Sequence, residues 1–335
     1  MPPAARPARR ATLADVAART GVAISTVSRA LTRPERVNAA TRERISAAAA
    51  ELGYSPNTAA RALGSGRTRS VAILVSDVTN PFYFDIIRGA QQELGPAGYT
   101  PLLLDTEESE ELEEAMLRRL RASYDGAIIA ASRLTDRRLA ELAQAVPLVA
   151  INRQTRGVPS VFIDTPAGVG QALEHLVSHG HRRVAYAGGP LTSWPNERRW
   201  RAFRTAAERL GVEVSRVGPF EPRQSQGAAA ADAVLNTGAS ATLAFNDLLA
   251  IGMLQRFAER GVRVPRDLSM VGCDDIFGAD FCHPPLTTIT APVAQAARVA
   301  VSTLLAQLGG ESRMRQGVTL PTHLTIRAST GPAPG

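Results

Sequence analysis

The chain has 335 residues and 38 basic side chains, every one an arginine, so no lysine amine exists for Schiff-base, Walker-type or kinase-type chemistry. Residues 1–69 hold 12 arginines against four acids (Asp15, Glu35, Glu43 and Glu51), and the remainder holds 26 against 27, so the formal +7 of the whole chain resides in its first fifth. A basic head on a near-neutral body of this length implies a polyanion-binding module joined to a separate globular unit rather than one core.

Residues 1–10, rich in Pro, Ala and Arg, read as a disordered basic tail. Residues 11–55 then read as a small helical bundle. Thr12-Leu13-Ala14-Asp15 opens a short helix that Thr12 can cap, with Asp15 complementing the dipole in the first turn. Gly21 ends it after about two turns, the length expected in a helix-turn-helix unit. In the next helix, Ile24 to Leu31, Val27, Ala30 and Leu31 can face inward. Ser25, Thr26, Ser28 and Arg29 can then face outward, where short polar and guanidinium groups suit base edges and phosphates. A third helix runs from about Asn38 to Leu52, with Gly53 beyond its end. Residues 56–69 form a hinge and linker. Ser55 fits an N-cap and Pro56 the first helical position, but the stretch to Leu63 has only about two turns and is expected to be helical only when docked.

The residues Leu13-Ala14-Asp15-Val16-Ala17, Thr26-Val27-Ser28-Arg29-Ala30-Leu31, Glu51-Leu52-Gly53-Tyr54-Ser55-Pro56-Asn57 and Ala60-Arg61-Ala62-Leu63 closely resemble the head of the lactose-repressor (LacI/GalR) family. The resemblance implies that the second helix enters the major groove, with Ile24, Ser25 and Arg29 reading bases. It also implies that Leu63, on paired hinge helices, wedges into the minor groove at the operator centre. Thr12, Thr26, Ser28, Asn57 and Arg61 complete the set of expected DNA contacts. Ala23 departs from the family, which usually places a capping serine there.

From residue 70 to 335 the pattern becomes βα repetition. Apolar runs such as Val71–Val75, Ala127–Ala130, Leu148–Ile151, Val184–Ala187 and Met270–Cys273 alternate with amphipathic stretches such as Phe82–Leu94, Glu197–Leu210 and Asp247–Arg260. That order gives parallel sheets covered on both faces, and the length suggests two α/β lobes with a cleft between them. Polar and aromatic residues follow several strands, where such sheets bind ligands: Asn80-Pro81-Phe82-Tyr83, Asn152-Arg153, Ser193 with Arg199, Asn246-Asp247 and Asp274-Asp275. The mixture suits a small polyhydroxylated ligand such as a sugar or nucleoside, although Asp247 reads better as a helix cap.

The family resemblance extends through this body, in Asn80-Pro81-Phe82, Gly180-His181-Arg182-Arg183, Gly272-Cys273-Asp274-Asp275 and Pro285-Leu286-Thr287-Thr288-Ile289. It implies a fold like the periplasmic sugar-binding proteins, with three chain crossings between lobes. Its implied effector contacts are Phe82, Tyr83, Asn152, Arg153, Ser193, Arg199, Asn246 and Asp274.

The two cysteines, Cys273 and Cys282, form no CxxC pair. No apolar run reaches the ~20 residues of a membrane span, and no secretion signal is visible, so a cytoplasmic protein is expected. His175 and His179 are spaced like metal ligands, but no Glu or Cys completes a site, and neither metal nor cofactor is expected. The resulting expectation is a homodimeric transcriptional regulator, a repressor rather than an enzyme, with palindromic operator DNA and a small-molecule effector as partners. A solute-binding protein or sugar enzyme on the same frame, and a non-specific nucleoid protein, are its rivals.

Overall fold

The computed structural model describes residues 11–54, 66–310 and 317–335, so the expected basic tail and the hinge from Ser55 through Leu63 lie outside the described residues. The chain divides into two compact units, Met1–Thr68 and Arg69–Gly335.

In the first unit, α1 (Leu13–Thr20), α2 (Ile24–Thr32) and α3 (Ala39–Glu51) surround a core centred on the fully buried Val16, Val27 and Ile45, one from each helix. A capping box opens α1. The Thr12 hydroxyl accepts from the Asp15 N–H at 3.4 Å, and the Asp15 carboxylate accepts from the Thr12 N–H at 2.7 Å. Gly21, at φ +67°, takes the left-handed conformation that closes the helix. The Asn38 side chain caps α3 by accepting from the Ala40 N–H at 3.0 Å. Ala23 heads α2 with no side-chain bond.

The second unit contains two six-stranded sheets. Strands β1 (Ser70–Val75), β2 (Thr100–Asp105), β3 (Gly126–Ala130), β4 (Leu148–Ile151), β5 (Ser160–Ile163) and β11 (Val318–Leu320) form lobe 1, in the order β11-β5-β4-β3-β1-β2. Strands β6 (Arg183–Ala187), β7 (Glu213–Val217), β8 (Ala241–Ala244), β9 (Ser269–Asp274), β10 (Thr287–Thr290) and β12 (His323–Thr325) form lobe 2, in the order β12-β10-β9-β8-β6-β7. All pairings are parallel except β10 with β12. The central strands are buried along their length, which is why they read as unbroken apolar runs.

Helices α4 (Phe82–Leu94), α5 (Glu110–Arg119), α6 (Asp136–Ala145), α7 (Thr165–Ser178), α8 (Trp194–Leu210), α9 (Gly227–Leu235), α10 (Asp247–Glu259) and α11 (Val293–Leu308) cover the sheets. α4 packs on α11 so closely that a Cβ at Gly89 would lie 2.8 Å from the Ala294 carbonyl oxygen. The chain passes between lobes at Asp164, at Ala291-Pro292 and at Pro321-Thr322, three crossings in all. Two of them are stitched together. The Asp164 N–H donates to the Leu320 carbonyl at 2.9 Å, and the Thr322 hydroxyl donates to the Asp164 carbonyl at 2.7 Å.

Candidate effector cavity and nucleic-acid interface

Each sheet has a point where successive strands leave in opposite directions: β1 between β2 and β3, and β6 between β7 and β8. Loops leaving the carboxyl ends of these strands meet around a narrow cleft, open to solvent, with a cavity volume of about 40 Å³. Lobe 1 contributes Asn80, Phe82, Tyr83, Glu108, Ala131, Arg133 and Asn152, and lobe 2 contributes Ser193, Pro195, Arg199, Pro222, Phe245, Asn246 and Asp274.

The loop geometry is built for placement. Asn80 accepts from the Phe82 N–H at 3.0 Å, which fixes the entry to α4 and sets Phe82 and Tyr83 edge-to-face, 5.2 Å apart, at the cavity wall. Asn152 accepts from the Ile163 N–H at 3.0 Å across the sheet end. Arg199 is buried and spread over three acceptors: the Thr165 hydroxyl at 3.0 Å, the Phe245 carbonyl and the Asp274 carboxylate at 3.3 Å. Its guanidinium also lies 5.0 Å from the Phe245 ring centroid. Burial raises the Asp274 carboxyl to about 6, partly offset by Arg199. In lobe 1, Arg133 pairs with Glu108 through Nε, at 2.8 Å, and through Nη2.

Backbone strain concentrates in the same place. Seven non-glycine residues among those described have positive φ, and six of them (Glu107, Glu108, Ala131, Asn152, Asp274 and Asp275) line the cavity or adjoin a residue that does. Left-handed backbone at such residues costs free energy and clusters where geometry serves a ligand.

In the head, α2 presents Ile24 at 52% exposure together with the exposed Ser25 and Arg29, while Val27 and Ala30 are buried beneath. Thr26 and Ser28 are half-buried at the flanks. Arg29 pairs with no acid among the described residues, which leaves its guanidinium open to a phosphate or a base. Thr12 is exposed but already engaged in the capping box with Asp15.

Residues 12–57 match the bacterial regulatory proteins, lacI family, and residues 173–330 match the periplasmic binding protein-like domain. The HTH-type transcriptional repressor CytR of Escherichia coli (strain K12) is 31% identical over 97% of this chain and 97% of its own. The chain belongs to the lacI family. It is a DNA-binding transcriptional regulator with an effector-binding body, and not an enzyme. A second relative, the HTH-type transcriptional regulator MalR of Streptomyces coelicolor, is 32% identical over 96% of this chain and 97% of its own. The lac repressor dimer bound to operator and the anti-inducer ONPF superposes with a TM-score of 0.87, at 27% identity over 96% of this chain and all of that one. The CelR–cellobiose complex gives a TM-score of 0.70 at 31% identity, covering 96% of this chain and all of that one.

Set against the contacts expected from lacI-family resemblance, seven of the eight effector residues (Phe82, Tyr83, Asn152, Ser193, Arg199, Asn246 and Asp274) line the cavity. Arg153 does not. Its guanidinium turns away, donating to the Leu134 carbonyl at 2.9 Å and pairing with Asp136 at 2.8 Å, so it ties the strand end to α6. Asp247 is not the helix cap either. Asn246 caps α10 by accepting from the Leu249 N–H, whereas Asp247 is buried, accepting from the Thr288 hydroxyl at 2.6 Å and the Ile276 N–H at 3.0 Å. Glu108, Arg133 and Phe245 line the cavity without having stood out in the sequence. Glu108 sat within an acidic run that reads as a solvated helix start, and Arg133 three residues past a strand with no neighbouring signature. His175 and His179 lie 4.4 Å apart between ring centroids, with the His175 Nε2 within 2.9 Å of the Thr330 hydroxyl. Among the described residues, no group of three His, Cys, Asp or Glu is arranged for a metal, and no helix is long and apolar enough to cross a membrane.

Proposed function

We propose that the chain is a homodimeric repressor, acting in the bacterial cytoplasm, that grips palindromic operator DNA through two basic heads. Its operator affinity is set by a sugar-like or nucleoside-like effector bound between the lobes. The observation that carries this reading is Ser193. Its hydroxyl lies at the cavity wall, the residue is 1% exposed, and no hydrogen-bond partner stands near it among the described residues. A buried hydroxyl without a partner is costly, and a polyhydroxylated ligand would complete it. Phe82, Tyr83, Asn152, Arg199, Asn246 and Asp274 line the same cavity, with aromatic faces and charge-assisted donors suited to sugar rings and hydroxyls.

On the DNA side, Thr12, Ile24, Ser25, Thr26, Ser28 and Arg29 make the groove contacts, and Asn57, Arg61 and Leu63 extend them into the hinge. Two heads are needed because one short helix reads too few base pairs. The lac repressor, seen as a dimer on operator with a small molecule, and CelR, seen with cellobiose, support the assignment by their likeness. The function calls for no cofactor.

Footprinting of the full-length protein on the DNA upstream of its own gene should reveal a palindromic protected site. A panel of sugars and nucleosides should contain a compound that changes that protection. A salt-sensitive association with no protected sequence under any compound would replace this reading with non-specific DNA binding.

A further inference from the structure

The cavity holds two buried arginine–carboxylate pairs, one from each lobe, and only the Arg199–Asp274 pair belongs to the contacts considered so far. We propose that the Glu108–Arg133 pair of lobe 1 determines effector specificity, selecting an uncharged ligand with adjacent hydroxyls and rejecting its phosphate ester. The inference rests on the cavity being the effector site.

Hydrogen-bond capacity supports the first half. Arg133 spends Nε and one Nη2 hydrogen on a single oxygen of Glu108, Oε2, and one Nη1 hydrogen on the Ala131 carbonyl at 3.0 Å. A guanidinium has five N–H groups, so two remain. The other carboxylate oxygen, Oε1, has no bond among the described residues. Side by side at the cavity wall, the pair therefore offers a strong acceptor and strong donors. Adjacent hydroxyls of a sugar ring, or of a nucleoside ribose, match that arrangement, one donating to Oε1 and the next accepting from Arg133.

Charge supports the second half. The lining contains two arginines, Arg133 and Arg199, and two carboxylates, Glu108 and Asp274, so its formal charge is zero with both acids ionised. The Arg133 and Glu108 side chains are only 4% and 17% exposed, which leaves little water to screen a newcomer. A phosphate would find each guanidinium already neutralised and would face Glu108 at close range.

The pair is also held at a cost. Glu107 and Glu108 have φ of +50° and +61°, two consecutive non-glycine residues in the left-handed region. Backbone bonds pin them there, from the Glu108 N–H to the Ser76 carbonyl at 2.8 Å and from the Glu107 N–H to the Asp105 carboxylate at 3.0 Å. Such strain is retained where a side chain must point one way. Behind the pair, the buried Glu113 accepts from the Ser132 hydroxyl and from the Arg133 N–H at 2.9 Å, fixing the backbone that carries Arg133.

The test is calorimetric titration of the full-length protein, near pH 7.5, with neutral pentoses, hexoses and ribonucleosides, their monophosphates, and deoxy analogues lacking one of two adjacent hydroxyls. The expected order is neutral ligand tightest, with the deoxy analogue and the monophosphate each at least tenfold weaker. Glu108→Gln makes the lining net positive, and should shift the neutral-to-phosphate affinity ratio at least tenfold toward the phosphate. Glu108→Asp keeps the charge and should keep the preference against phosphate. A wild-type preference for the monophosphate, or a ratio that Glu108→Gln leaves unmoved in a variant with unaltered circular dichroism, overturns the inference while leaving the effector site in place. No binding by any member of the panel, charged or neutral, counts instead against the cavity as a sugar or nucleoside site, and the inference falls with it.

Discussion

Ser193 and Asp247 show how single residues in this body trade stability against readiness. The Ser193 hydroxyl is buried without a partner among the described residues, so Ser193→Ala should stabilise the unliganded protein, by about 1 kcal/mol, while weakening effector affinity several-fold. Thermal denaturation with and without ligand measures both, and equal loss in the two conditions would mean a packing role alone. Asp247 is raised to about 7 by burial and by the nearby Asp274 carboxylate, and Asp274 itself to about 6 by burial. Unfolded aspartates titrate near pH ~4, so between about pH 4 and 7 the native state binds more protons than the unfolded chain. The contribution of these two groups to stability is therefore greatest below that window and declines as pH rises through it. Asp247→Asn can still accept from the Ile276 N–H and can donate to the Thr288 hydroxyl, so it should flatten the dependence of the thermal midpoint between pH 5 and 7. An unaltered slope would show that other groups carry it.

At the scale of the helix, the head depends on caps because its core is small. Thr12 with Asp15 and Asn38 supply donor satisfaction for α1 and α3, and of these three helices only α2 begins on a residue without a capping side chain. Ala23→Ser should add about 1 kcal/mol to the head, read as a rise of about 4–8 °C in its unfolding midpoint. A fall would show that a serine at that backbone conformation (φ −58°, ψ 142°) spends its hydroxyl elsewhere. In the body, α7 begins at Thr165, earlier than its apolar period suggests. Gly168 and Gly170 lower its intrinsic propensity, while Pro166 sits in the first turn where no N–H is needed, Asp164 caps it and packing holds it. α9, with its run of alanines, shows almost no polar contrast yet packs tightly on α10, where a Cβ on Gly227 would lie 2.1 Å from the Gly252 carbonyl carbon.

Across the whole body, the lobes are joined at three crossings and bridged by an ion pair next in sequence to the cavity-lining Pro222, with the Arg223 Nε 3.5 Å from the Asp77 carboxylate. Arg223 is 46% exposed, so solvent screens the pair and it contributes at most ~1 kcal/mol. Arg223→Gln should lower effector affinity by no more than about fivefold, and the difference should vanish in high salt. A difference that persists at high salt would mean that Arg223 acts by packing. Reciprocity constrains the two units: an effector that weakens operator binding by some factor must itself bind the operator complex more weakly by that factor.

Much of this was written in the chain before it folded. The placement of charge in the first 69 residues, the capping residues Thr12 and Asn38, and the apolar runs of the central strands are local or periodic signals, legible because the physics behind them acts over a few residues. The edge strand β7 and the three-residue β11 and β12 were not legible, since half-buried or three-residue strands carry little period, and β10 is buried but three of its four residues are threonine, so it forms no apolar run. Nor was α11, whose main packing partner, α4, lies far away in the sequence. Motif resemblance pointed to the cavity, but only tertiary structure turned Arg153 away toward Asp136 and brought Glu108 and Arg133, 25 residues apart, onto one wall. A side chain's direction depends on which acceptor stands closest after the strands have closed ranks, and that is a property of the assembled sheets rather than of any stretch of sequence.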